Sequence, residues 1–163
     1  MKIFLLAALT ISSAVAFATP KVGDYAKFQV RTNRGDNSQV SVLTQELTTY
    51  NAVTDTFVMH TTFAMQGEEG VTVTDKSFAA ANLENDRSIH TYMTECEFQG
   101  GKVDTVTSSA GSYDACKMPT TDGAGYYWVA NVPLGMAKYV VSGTDAYGAF
   151  TQTGILEESR SGK

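Results

Sequence analysis

The stretch CEFQGGKVDTVTSSAGSYDACK, residues 96–117, and the run YYWVANVPLG, residues 126–135, decide how this chain folds. Between Cys96 and Gly135 lie both cysteines, the only tryptophan and two of the three prolines. Gly100-Gly101 stops whatever precedes it. Lys102 to Thr107 and Ser112 to Met118 then read as two strands around the turn S-S-A-G, with Gly111 taking the unusual φ of a tight hairpin. Tyr126 to Val132 is aromatic and strand-like, and Pro133 and Gly135 end it.

The first residues and the two cysteines point to the compartment. Lys2 followed by the apolar run Ile3 to Val15, with small-x-small sites at Ala14–Ala16 and Ala16–Ala18, is the pattern of a secretory signal peptide, assigned here to residues 1–18. The run is too short to span a bilayer with ease, and no later segment is long and apolar enough to do so. The chain is expected to be exported, periplasmic or secreted. Two cysteines in an exported chain pair. A Cys96–Cys116 bridge closes a loop of about twenty residues and contributes roughly 3 kcal/mol. The spacing fits neither a C-x-x-C redox pair nor a zinc site.

Upstream, the pattern is antiparallel sheet. Residues 19–163 are expected to form a single domain. Ala26, Phe28 and Val30 alternate with Lys27, Gln29 and Arg31, a half-buried strand. The turn N-R-G-D-N leads to a long return strand, Ser38 to Tyr50, whose apolar phase slips between Val42 and Leu43 and predicts a bulge there. Asn51 to Asp55 turns into the clearest strand, where Phe57, Met59, Thr61, Phe63 and Met65 share one face and Val58, His60, Thr62 and Ala64 the other. Gln66 to Gly70 turns again into Val71 to Thr74. From Ser77 the alternation stops. Ile89, Met93 and Cys96 recur at helical spacing, with Asn85 or Asp86 as cap, which predicts one helix over 87–99 tied to the sheet by the disulfide. Met136 to Ser142 and Tyr147 to Glu157 make a final pair, and the tail S-R-S-G-K is expected to fray. The fold class is therefore mainly β, a curved, half-barrel-like antiparallel sheet packed on one α-helix with one disulfide.

Chemistry is sparse. There is no G-x-S-x-G, and paired cysteines leave no thiol nucleophile. His60 and His90 stand without a partner pattern, so no catalytic residue is assigned. Met59 and His60 are adjacent in a strand and point to opposite faces, which argues against a soft metal site; no metal and no cofactor are expected. Glu68-Glu69 and Glu157-Glu158 read as solvated charges, and Gly123-Ala-Gly125 lacks the rest of a phosphate loop. The formal charge of −5 and the lack of a clustered basic stretch give no landing site for nucleic acid or an anionic lipid surface.

Apolar surface remains. A single helix cannot cover a long sheet on both faces, and the bulky residues Phe57, Met59, Phe63, Met65, Trp128 and Tyr139 are candidates for lining an apolar pocket. The simpler account is that the sheet curls and buries them in its own core. A carrier requires an enclosed apolar volume beneath the helix. An interaction module requires a filled core and an exposed patch. The leading expectation is a non-catalytic exported binding protein for an apolar small molecule, lipid or acyl chain. The alternative is an envelope protein–protein interaction or structural module.

The Gly-Gly pair after Cys96, Ala110-Gly111 leading to Tyr113 and Cys116, and Trp128 followed by Val132 to Gly135 resemble a signature of uncharacterised exported proteins of Gram-negative bacteria. The likeness covers roughly the last half of the chain. Proteins of this look are similar in outline to the periplasmic lipoprotein carriers, which implies a bent antiparallel half-barrel around a helix with an apolar cavity, and no catalytic residues.

Overall fold

The computed structural model describes residues 20–67, 70–83 and 86–163, with the side chains of 86 and 87 excepted. The expected leader, Asn85 as cap and the pair Glu68-Glu69 lie outside the described residues. Nine strands form one antiparallel sheet: β1 (Tyr25–Arg34), β2 (Asn37–Asn51), β3 (Thr56–Met65), β4 (Val71–Ala79), β5 (Lys102–Ser108), β6 (Gly111–Pro119), β7 (Gly125–Ala130), β8 (Met136–Asp145) and β9 (Gly148–Arg160). The spatial order is β4-β3-β2-β1-β9-β8-β7-β6-β5. Two meanders, β1 to β4 and β5 to β9, thus meet where β1 pairs with β9. A short 3₁₀ turn (Ala80–Asn82) and the helix α1 (Asp86–Thr94) carry the chain from one free edge, β4, to the other, β5.

That crossing requires curvature. In a flat sheet four strand steps would put β5 roughly 19 Å from β9, yet Cα atoms of the two strands come within 8 Å. The sheet is therefore rolled at this end and open, and among the described residues no strand pairs with the outer sides of β4 and β5. The roll lets one apolar cluster draw on β5 to β9 and β1: Val106, Ala115, Trp128, Ala130, Ala137, Leu156, Ala26, Phe28 and Val30 are all buried in it. Alternate residues of β6 and β7 enter a second cluster on the opposite face. There Cys116, Met118 and Val129 meet Ile89 and Cys96, with Met93 and Tyr92 packed alongside. So α1 covers one face of β6 and β7, and the main core takes Ala115, Trp128 and Ala130 from the other. A third cluster, Leu47, Phe57, Met59 and Leu83, lies under the β4–α1 connection. Leu134 packs against both this cluster and the main core, at a positive φ of 62° that a branched side chain adopts only when held there.

The helix ends earlier than the sequence predicts. It stops at Thr94, whose Oγ1 donates to the carbonyl of His90. Cys96 lies past it in a tight turn. There the Gly100 N–H donates to Glu97 O, the Gly101 N–H to Cys96 O, and Gly100 has φ 83°. This pair of bonds around a left-handed glycine closes the orphan carbonyls of a helical end, so the glycine stop is real but acts on a turn. Ile89, Met93 and Cys96 still point inward as expected. The disulfide joins this turn, not the helix itself, to β6.

Three other expectations shift. The β1–β2 register runs unbroken through Val42 and Leu43; the irregularity in β2 falls between Leu47 and Thr49, against β3. β4 extends to Ala79, and its alternation is absent because nearly all of it is exposed on both faces. The tail does not fray. β9 continues to Arg160, and the Gly162 N–H donates to Oδ1 of Asp24 at 2.8 Å while the Lys21 N–H donates to Oδ2 at 2.8 Å. Asp24 is buried, and a side chain at Gly162 would strike the Val22 carbonyl. Among the described residues no helix is long and apolar enough to cross a membrane.

Two outcomes follow from these ties. Replacing Cys96 and Cys116 by serine, or reducing the bridge, is expected to remove about 3 kcal/mol and lower the calorimetric Tm by roughly 6–12 °C. Replacing Asp24 by alanine strands two backbone donors and is expected to cost about 2–4 kcal/mol; denaturant titration measures the loss, and limited proteolysis should cut first at the released C-terminal tail.

Candidate functional site

The six apolar residues singled out from sequence do not share one chamber. Phe57 and Met59 are packed with Leu47 and Leu83, and the Phe57 ring lies 4.7 Å from that of Tyr50. Phe63 and Met65, farther along β3, are half-buried and belong to none of the three clusters; Met65 Sδ accepts from Gln39 Nε2 at 2.9 Å. Trp128 is in the main core and Tyr139 packs against it.

Two of these residues are held by their polar ends. Trp128 Nε1 donates to Asp104 Oδ2 at 2.8 Å. That bond, with one from the Thr105 N–H and the nearby Lys117 and Lys138, holds the Asp104 carboxyl below its ordinary range. The Tyr139 ring lies over Gly154 on β9, where a Cβ would come within 2.1 Å of it. The ring centroid is 6.2 Å from that of Phe28, and the hydroxyl donates to Gln152 Oε1 at 3.3 Å. Burial pushes the phenol up to about 12.

The space under α1, where a carrier would hold its ligand, is tightly packed at its disulfide end. A Cβ added to Gly101 would lie 2.5 Å from Met118 Sδ and 2.6 Å from Cys116 Sγ. Not even a methyl group fits there.

An open groove lies beside that plug instead. It encloses ≈ 430 Å³ and is lined by Met93 and Thr94 at the end of α1, by the turn Glu95 to Phe98, and by Val103 on β5. Phe98 is 87 % exposed and Val103 62 %. The disulfide anchors the turn that carries Phe98. Sequence reasoning placed Phe98 inside the helix and Val103 in an ordinary strand; the signal that both stand in water was the Gly-Gly stop, which fixes where the turn leaves the sheet. The histidines are apart from this groove. His60 Nδ1 pairs with Asp75 Oδ1 at 2.7 Å across β3 and β4, and His90 lies on an exposed position of α1.

Tyr139 gives the main core a test at alkaline pH. Its folded value is raised above the ordinary 10.0, so its contribution is full below about pH 10 and is lost as pH rises towards about 12, because only the unfolded chain ionises freely. The Tm is expected to fall across that window, less steeply in Tyr139→Phe, and the last tyrosine to titrate by ultraviolet absorbance should be missing from the variant.

No family model and no curated protein matches the chain. Among solved structures it is similar to a Bacteroides fragilis NCTC 9343 protein described as exported and of YmcC-like fold, at 11% identity and a TM-score of 0.48, covering 88% of this chain and 98% of that one. It is also similar to a protein described as a lipoprotein from Parabacteroides distasonis ATCC 8503, at 11% identity and a TM-score of 0.43, with the same coverage. What the chain does must be argued from its own surface.

Proposed function

We propose that this protein is an exported, non-catalytic binding protein that takes an apolar group, such as an acyl chain, not into an enclosed volume beneath the helix, which is filled at its disulfide end, but into the open groove between the end of α1, the Glu95–Phe98 turn and β5. The observation that carries the reading is Phe98. A phenyl ring 87 % exposed is left in water on a turn clamped by a disulfide and a glycine cap. Val103 faces it from the edge strand, and Met93 supplies an adaptable wall. Rigid, exposed apolar surface is what a preorganised binding site provides.

Export is supported by the leader-like N-terminus and by the Cys96–Cys116 bridge, a bond that persists in oxidising compartments. The likeness of the Cys96 to Gly135 region to exported Gram-negative proteins fits the same reading. A second reading, recognition of an envelope protein, is favoured by the unpaired outer side of β5, which borders the groove and offers backbone groups to an added strand.

The test is native mass spectrometry of protein purified from the envelope, before and after organic extraction, followed by re-addition of a fatty acid. A co-purifying acyl mass, lost on extraction and regained on addition, is expected, with uptake reduced at least tenfold in Phe98→Ser. A clean apo mass that takes up no lipid overturns the acyl-chain reading and turns attention to a strand-adding partner.

A further inference from the structure

The sequence has no basic run, but the sheet builds one. Register places Lys102 opposite Lys117, Lys117 opposite Trp128, and Trp128 opposite Lys138, so three lysines stand in one row across β5, β6, β7 and β8. One step along the same face Tyr126 lies opposite Val140, Val140 opposite Thr153, and Thr153 opposite Arg31. Four cations and two aromatic rings therefore share a face. Residues 31, 102, 117 and 138 are far apart in sequence, which is why composition gave no hint of the cluster.

The ammonium groups gather on the rings. Lys117 Nζ lies 4.0 Å from the Tyr126 centroid and 5.2 Å from that of Trp128, and Lys138 Nζ lies 4.5 Å from Trp128. Among the described residues none of Lys102, Lys117, Lys138 and Arg31 forms an ion pair. The carboxylate of the row, Asp104, is hydrogen-bonded by Trp128 Nε1 and the Thr105 N–H and feels Lys117 and Lys138, so it offsets one of the four cations. A local excess of positive charge thus stands on a chain whose formal charge is −5. Lys117 and Lys138 are held by the rings, whereas Lys102 directly opposite Lys117 is a like-charge pair that disfavours the sheet.

We propose that this face docks the protein on an anionic phospholipid surface, the lysines and Arg31 meeting headgroup phosphates and Tyr126 resting at headgroup level. Measured along the sheet, Lys102 to Lys138 spans three strand steps, roughly 14 Å, and Arg31 lies two strands farther. That spread suits a field of headgroups and is too wide for one phosphate. Tyr126 is 45 % exposed, and amphipathic aromatic rings beside lysine are the residues that settle at a membrane interface. Along β5 Val103 alternates with Lys102 and Asp104, so the apolar groove opens on the side opposite the docking face. The docking does not depend on what the groove binds.

Vesicle co-sedimentation of the purified protein tests it, with vesicles of phosphatidylcholine alone and of an equal mixture of phosphatidylglycerol and phosphatidylcholine. Binding to the mixed vesicles only is expected, weakening with salt and by about fivefold for each cation neutralised. Lys117→Gln and Lys138→Gln remove contacts with Trp128, so Lys102→Gln with Arg31→Gln, both exposed, forms the variant whose fold is not at issue. Failure to bind the mixed vesicles, equal binding to both compositions, or unchanged binding of the Lys102/Arg31 variant overturns the proposal. So does displacement by inorganic phosphate at a concentration where chloride of equal ionic strength has no effect, or tighter binding to a DNA oligonucleotide than to the mixed vesicles.

Discussion

The ladder between β1 and β9 holds this structure together. Every other strand pairing joins neighbours in the chain, each closed by a turn of a few residues. The β1–β9 ladder pairs Tyr25 with Arg160 and runs on to Asn33 with Thr151, and it alone makes one sheet from two meanders. Its closure carries the largest loop entropy in the fold. It is matched by the best-buried residues: Ala26, Phe28, Val30 and Leu156 are fully inaccessible and lie on or beside it. At one end Asp24 fastens the tail to the start of β1. At the other, Arg34 reaches both oxygens of Asp145 at 2.6–2.7 Å and binds the β1–β2 turn to the β8–β9 turn.

Curvature follows from this arrangement. With β1 and β9 in the middle, the chain must travel from one outer edge to the other, and α1 makes that journey. A rolled sheet shortens it. The disulfide and Gly101 then pin the far end of the crossing onto β6, with the sulfurs of Cys116 and Met118 where a side chain at Gly101 would be. The rigidity of the Phe98 turn is a product of how the crossing is fastened.

The strands were largely legible because period-two alternation survives wherever one face is buried, as in Phe28 with Val30 or Phe57 with Met59. β4 could not be delimited, since neither of its faces is covered and nothing selects alternation. The helix end was misjudged because Met93 to Gln99 keeps helical spacing while the chain is already turning. The tail was misjudged because its anchor, Asp24, is more than a hundred residues away and gives no local signal. The candidate surfaces were less legible still. The Phe and Met stripe of β3 was visible, but which cluster each residue enters depends on how the sheet rolls. The Phe98 groove is built from one short stretch, Met93 to Val103, but shows only once the Gly100-Gly101 turn is placed, whereas the lysine row exists only through register.

Because β1 and β9 are antiparallel, the point where the described chain enters the sheet and the point where it leaves lie side by side, with Gly162 against Val22 and Gly23. A pull applied between these points would open the central ladder like a zipper, one pair of hydrogen bonds after another, and would never shear the whole ladder at once. The fold is mechanically soft along that single direction. Anything tethered to both ends could detach the two meanders with far less force than their buried area suggests.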